Sequence, residues 1–126
     1  RMPRLVRDLM TIGVPVCRDT EPCGAVAARL AAVRPPAEAV VALDEDGMAC
    51  GWARAADLAA QPGLPVSAVL DEEIPQVPPD MPVAAAAEWL RGRGVAYAFL
   101  MHAWPGEPRP SAMIALRTLE ASLETP

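Results

Sequence analysis

The sequence predicts an α/β (α+β) domain built from two like β-α-β-β-α repeats in tandem, over residues 4–61 and 66–122. Three observations carry this expectation. Residues 6–30 (VRDLMTIGVPVCRDTEPCGAVAARL) and 66–90 (VSAVLDEEIPQVPPDMPVAAAAEWL) align without a gap at an offset of 60. Val6 then meets Val66, Met10 meets Leu70, Val14-Pro15 meets Ile74-Pro75, Cys17 meets Val77, Pro22 meets Pro82 and Leu30 meets Leu90. Each copy continues into two further apolar runs, and each ends in a related segment, GWARAADL (51–58) and AMIALRTL (112–119). A period of this length seen only twice describes two subdomains packed on each other, because a solenoid needs at least three units. Duplicated folds tend to set ligand clefts at the seam between the copies.

In the first copy, residues 5–10 read as a short amphipathic turn that Gly13 ends. Val14-Pro15-Val16-Cys17 follows as a brief extended segment. Thr20 is a good N-cap and Pro22 is tolerated in a first turn, so a helix is expected over 21–33. Its apolar stripe is Val26, Leu30 and Val33, and Arg34-Pro35-Pro36 stops it. Residues 39–43 (AVVAL) form an unbroken apolar run, the pattern of a buried strand. Asp44-Glu45-Asp46-Gly47 is turn chemistry, so 48–53 should return as the partner strand of a hairpin. A short helix over 54–60 closes the copy before Gln61-Pro62-Gly63.

The second copy repeats the order. A short turn is expected at 66–70 and an extended piece at 74–77. Asp80 is the expected cap of a helix that has Pro82 early in it and that Gly94 terminates after Arg93. Strands follow at 95–103 and 111–116, then a closing helix at 117–123. Between those strands the tight turn gives way to an expected loop, WPGEPRP (104–110), whose first residue, Trp104, is a candidate cover for a cleft mouth.

Composition sets limits on function. The chain has 126 residues, enough for one domain or two small halves sharing a core. Its net charge is −5 and its eleven basic residues, all arginine, form no stripe, which argues against nucleic acid as a partner. Three cysteines without CxxC or Cys/His spacing argue for a reducing compartment and against a disulfide framework or structural zinc. No apolar run approaches the roughly 18 residues of a membrane span and no signal pattern opens the chain, so a cytoplasmic address is expected. Arg1 precedes Met2, as in a chain that carries an extra first residue or was cut from something longer.

The ordered series VRDLMT, VVALDEDG and GWARAADL, followed by VSAVLDEEIPQVPPDMPVAAAAEWL and AMIALRTL, resembles a CBS domain pair, the Bateman module named after cystathionine beta-synthase. The likeness spans about residues 4–121. It implies two repeats packed through their sheets with pseudo-twofold symmetry, and clefts between them that take adenosine-containing ligands: AMP, ADP, ATP or S-adenosylmethionine. It also implies association into a homodimer through exposed helices. In the family's pattern G-h-h-[ST]-x-x-D, the Asp holds ribose hydroxyls. The first copy keeps Gly51 and Asp57 but has Arg54 where Ser or Thr is usual. The second copy has Ala115 and Thr118 at the last two of these places, so its cleft lacks the carboxylate. The resemblance thus implies at most one competent site, with Asp57 on ribose, Arg54 near a phosphate and the backbone of Gly13, Val14, Pro15 and Val16 along the base. Arg54 can instead fill the cleft or pair with Asp57 three residues on.

Other residues invite chemistry less strongly. His102 is the only histidine and has no metal or catalytic spacing around it. Cys17 and Cys50 read as small buried hydrophobes. Cys23 opens a helix, where the dipole can lower a thiol pKa, yet no base accompanies it. The acidic runs 44–46 and 71–73 lack the calcium-loop pattern and read as solvated turns. Trp52 reads as core. Trp89 lies about 100° around the helix from Leu90, with Ala85 one turn behind, and is the expected anchor of a dimer interface. The reading is of a non-enzymatic regulatory module that senses a ligand and reports to a partner protein or fused domain. The alternative is a structural dimerisation module with vestigial clefts.

Overall fold

The apolar run AVVAL sits where its unbroken pattern requires, between two other strands. The computed structural model describes residues 4–104 and 107–124, without the side chains of 102–104 and 107–109. Strand β3 (Ala39–Leu43) pairs in parallel with β2 (Val16–Arg18) and antiparallel with β4 (Ala49–Arg54). Central strands have both faces covered, and Ala39 through Ala42 are fully buried. Asp44 closes the hairpin, its Oδ1 accepting the N–H groups of Asp46 at 2.9 Å and Met48 at 3.0 Å. Its carboxylate therefore serves the turn.

A second sheet has the order β1 (Thr11–Ile12), β6 (Glu107–Ala115), β5 (Tyr97–Trp104). Strand β1 had no sequence forecast; it follows α1 (Val6–Leu9) and pairs antiparallel with β6 through Thr11↔Met113 and Ile12↔Ala112. The expected loop at 104–110 is corrected: β5 runs through Trp104 and β6 starts at Glu107. Pro108 and Pro110 are two apart, so their missing N–H groups fall on one edge and extended backbone survives.

The helices begin later than the cap residues suggested. Helix α2 is Cys23–Ala32 and α4 is Val83–Arg93, with Pro22 and Pro82 at the caps and no side-chain cap bond in either. Backbone from distant segments takes the place of Thr20 and Asp80. Cys23 N–H donates to the Leu64 carbonyl at 2.8 Å, and Val83 N–H to that of Arg4 at 3.1 Å. Such partners satisfy the orphan donors of a first turn as a side chain would. At the other end α4 stops at Gly94, whose φ of 67° is the left-handed conformation that glycine adopts cheaply. Helices α3 (Ala55–Ala60) and α5 (Leu116–Glu124) complete the chain, with a one-turn 3-10 helix at Val66–Ala68.

The duplication in sequence is a duplication of hydrogen bonds. Val6 N–H donates to Met81 O at 2.9 Å, and Val66 N–H donates to Glu21 O at 2.8 Å. Phe99 N–H donates to Pro75 O at 2.8 Å, as Val41 N–H does to Pro15 O at 3.1 Å. Leu116 N–H reaches Ala96 O at 2.8 Å, and Ala55 N–H reaches Glu38 O at 2.9 Å. Even the bridge between Leu5 and Pro82 has its counterpart between Pro65 and Pro22.

These bonds show why compact units and sequence repeats partition the chain differently. The segment opening each copy docks on the helix and last strand of the other copy. One compact unit, the N/C unit, holds the described residues up to Gly13, Pro75–His102 and those from Pro110 on. The other, the middle unit, holds Val14–Ile74 and the described part of 103–109. Each has its own core. In the N/C unit Val6, Leu90, Ile114 and Leu119 are central; in the middle unit Cys23, Val26, Leu58 and Val66 are. Burying one leucine such as Leu58 or Leu119 stabilises its unit by about 2–3 kcal/mol.

Candidate functional site

The motif GWARAADL turns from β4 into α3, and the turn sets its side chains around a small hollow. Gly51 is buried because the chain at Leu70–Asp71 passes over it. A Cβ there would lie 2.9 Å from the Asp71 carbonyl oxygen and 3.1 Å from Leu70 Cβ. Beside it, Trp52 N–H donates to Asp71 O at 3.0 Å and Asp71 N–H donates back to Trp52 O at 2.9 Å. The Trp52 indole is buried, as its sequence reading has it, and its Nε1–H donates to the Glu73 carbonyl at 3.2 Å. That backbone bridge brings Asp71 to the site, although its acidic run reads in sequence as a solvated turn.

Arg54 and Asp57 flank the start of α3. Arg54 is the cap residue, extended at ψ 144°, and Asp57 stands three residues on in the first turn. Their charged groups lie 3.9 Å apart, with 45% of the Arg54 and 59% of the Asp57 side chain exposed. The Arg54 guanidinium carbon also lies 5.5 Å from the Trp52 ring centroid. Trp52, Ala53, Arg54, Asp57, Val69 and Asp71 line a hollow of about 90 Å³. Pockets that enclose a drug-sized ligand run to about 300–1,000 Å³, so this one admits a sugar-sized fragment at most as it stands. One cation and two carboxylates surround it, a set suited to hydroxyl donors and one anionic group.

The remaining residues of the expected site are divided between the units. Gly13 belongs to the N/C unit, where its N–H donates to Ser111 O at 2.8 Å. Val14, Pro15 and Val16 belong to the middle unit; Pro15 O is taken by Val41, and the Val16 side chain is exposed at 43%.

In the N/C unit the matched motif positions are Ala112, Ala115 and Thr118, so the position of Asp57 holds a neutral side chain there. That unit has a larger hollow of about 380 Å³ lined by Gln76, Val77, Pro78, Pro79, Leu100 and Met101. It lies at the other end of the strands from the Thr118 position, since Leu100–Met101 matches Ala42–Leu43, where β3 ends. The physical cause is proline. In the middle unit Asp19 N–H donates to Leu43 O at 3.0 Å, but its counterpart Pro79 has no N–H, and only the bridge Gln76↔Phe99 remains.

Trp89 is half-buried against the N/C core, with the Arg93 guanidinium carbon 4.4 Å from its ring centroid, and Ala85 is exposed. The cysteines are free. Burial, then the charge of Glu21, pushes the Cys17 thiol up to about 11. Burial also raises Cys23, opposite to the lowering its helix-start position suggests, and desolvation first raises Cys50 as well. Raised thiols are poor nucleophiles. His102 and Trp104 have strand backbones, and their side chains lie outside the described residues. Among the described residues, no helix is long and apolar enough to cross a membrane.

Two three-stranded sheets with matched helices, joined by exchanged opening segments, make a duplicated α+β module. The chain has the fold of a CBS domain pair. It is similar to the CBS domain pair of protein MJ0100, solved in complex with 5′-methylthioadenosine and S-adenosyl-L-methionine, with a TM-score of 0.81 at 14% identity over 98% of each chain. The CBS-domain containing protein ATU1752 from Agrobacterium tumefaciens gives 0.78 at 20% identity over 97% of this chain and 95% of that one. The cytosolic domain of the Mg2+ channel MgtE, solved in complex with ATP, gives 0.73 at 18% identity over 90% of this chain and 46% of that one. No family model matches the chain, and no curated protein matches it significantly.

Proposed function

We propose that the chain is a ligand-sensing module that takes an adenosine-containing small molecule at the Asp57 site of the middle unit. The observation that supports this reading most is the grouping of Trp52, Arg54, Asp57 and Asp71 around one hollow, in a fold that solved relatives use with adenosyl ligands. Asp57 accepts hydrogen bonds from ribose hydroxyls, and an ionised acceptor makes these stronger than neutral ones. In this reading the module does no chemistry of its own, in keeping with the burial that raises all three thiols. It transmits occupancy to a partner protein or fused domain from within the cytoplasm. Calorimetric titration with AMP, ATP and S-adenosylmethionine tests the reading. Binding should appear in the micromolar to millimolar range and vanish in Asp57→Ala; no heat from any of the three refutes it.

A second reading, a dimerisation module with vestigial clefts, draws support from the missing carboxylate at Thr118 and from Trp89. This indole, stacked under Arg93 beside exposed Ala85, offers the residue types that interface hot spots favour. It requires that Trp89→Glu lower the dimer fraction in sedimentation while Asp57→Ala changes nothing.

A further inference from the structure

The site carries its own competitor. Arg54 stands where its guanidinium reaches both the Asp57 carboxylate, at 3.9 Å, and the Trp52 ring, at 5.5 Å. From there it forms one wall of the 90 Å³ hollow. A ligand whose hydroxyls bind Asp57 competes with Arg54 for that carboxylate and displaces the side chain that narrows the pocket. Both contacts of Arg54 are of the exposed, weak kind, so releasing it lowers ligand affinity by roughly ten-fold rather than blocking entry.

We infer that Arg54 is the specificity-determining residue of this site and makes it select a singly phosphorylated nucleoside. The inference rests on the nucleotide reading above. A neutral nucleoside breaks the contact and leaves the guanidinium without a counter-charge. A nucleoside monophosphate gives Arg54 a phosphate in exchange for Asp57, and guanidinium–phosphate pairs are bidentate and strong. A cationic adenosyl compound places its charge against the guanidinium and is disfavoured. A triphosphate tail fares worse than a single phosphate, because Asp71 also lines the hollow and the chain continues from it through Glu72 and Glu73. The Asp71 Oδ1 accepts the Glu73 N–H at 2.9 Å, which keeps that carboxylate in place. The affinity order is therefore AMP first, with ATP, adenosine and S-adenosylmethionine behind it.

Calorimetry with AMP and adenosine on wild type, Arg54→Ser and Arg54→Lys tests this. Wild type should prefer AMP by roughly ten-fold. Arg54→Ser should bind adenosine roughly ten-fold more tightly than wild type does and lose the preference for AMP. Arg54→Lys should keep much of that preference. Arg54 is exposed, so thermal melting should show all three proteins equally folded. If AMP and adenosine bind with unchanged affinities in Arg54→Ser, Arg54 neither competes nor selects, and this inference falls while the nucleotide reading stands. If neither ligand binds any of the three proteins, both fall together.

Discussion

At five matched positions the middle unit carries a charged or titratable side chain where the N/C unit carries an apolar or neutral one. Glu21 faces Met81 in the alignment, Arg29 faces Trp89, Cys17 faces Val77, Arg54 faces Ala115 and Asp57 faces Thr118. Many of the backbone bonds beneath them nevertheless recur, as Val6–Met81 and Val66–Glu21 do. A duplicated scaffold therefore constrains the donors, acceptors and close approaches that make the fold, and leaves the remaining side chains free to diverge. The two hollows follow the divergence. The middle unit has the Asp57 carboxylate and the Arg54 cation beside its hollow, and the N/C unit has a proline-opened hollow at the other end of its strands.

The largest test of this contrast is at Gly51. Its counterpart is Ala112, which pairs with Ile12 and is 1% exposed. The middle unit has no room for that methyl group, because the obstacle at 2.9 Å is backbone, which cannot swing aside. Gly51→Val should lower the unfolding free energy by about 3 kcal/mol and release the Trp52–Asp71 bridge. Ala112→Gly in the N/C unit should cost only about 1 kcal/mol, from chain entropy and a lost methyl. Urea unfolding measures both, and equal costs would show that the two closing motifs pack alike.

Next in size is alkaline pH. Cys17 ionises near 9 in an unfolded chain and only at about 11 in the folded protein, because burial first and Glu21 second disfavour the thiolate. The folded state thus holds the proton more tightly. Its contribution is whole below pH 9 and is lost as pH rises from 9 to about 11, a total of about 2–3 kcal/mol. Val77, the matched residue, has no proton to lose. Cys17→Val should flatten the decline in stability over that range, leaving what Cys23 and Cys50 contribute. Parallel curves for wild type and variant would remove Cys17 from the account.

These contrasts show what could be read from the chain and what could not. Pattern at short range was legible: AVVAL forms a strand, Asp44 to Gly47 turn, and Gly94 ends a helix where expected. Thr20 and Asp80 were misleading as caps, because carbonyls of Leu64 and Arg4 satisfy the first-turn donors from across the unit. The pairing of Asp71 with Trp52, which completes the hollow, joins segments 19 residues apart in sequence and carries no local mark. Yet an internal signal existed. Asp71 matches Thr11 at the repeat offset, and Trp52 matches Met113, so the pairing of Thr11 with Met113 is its twin. Trp89 was legible as an exception to its helix stripe, but its partner Arg93 and its partial burial depend on packing.

The smallest effect concerns the ion pair that Trp89 and Met81 replace. Arg29 donates to both Glu21 carboxylate oxygens, at 2.9 and 3.2 Å, and Arg18 N–H adds a third bond at 2.7 Å. The Arg29 side chain, then the Arg18 amide, hold the Glu21 carboxyl below its ordinary value. A depressed carboxyl stabilises the fold above the unfolded value near 4.5, and that stabilisation is lost as pH falls below it. The pair is solvent-accessible, so screening limits it to about 1 kcal/mol or less. Glu21→Gln should therefore cost that amount at neutral pH, less in high salt, and nothing in acid. In the N/C unit Met81 and Trp89 pack against the core instead, so Met81→Leu should show no dependence on salt or acid. No loss in Glu21→Gln would mean that the side chain acts through its bond to the Arg18 amide alone, as a cap that any acceptor of the same shape supplies.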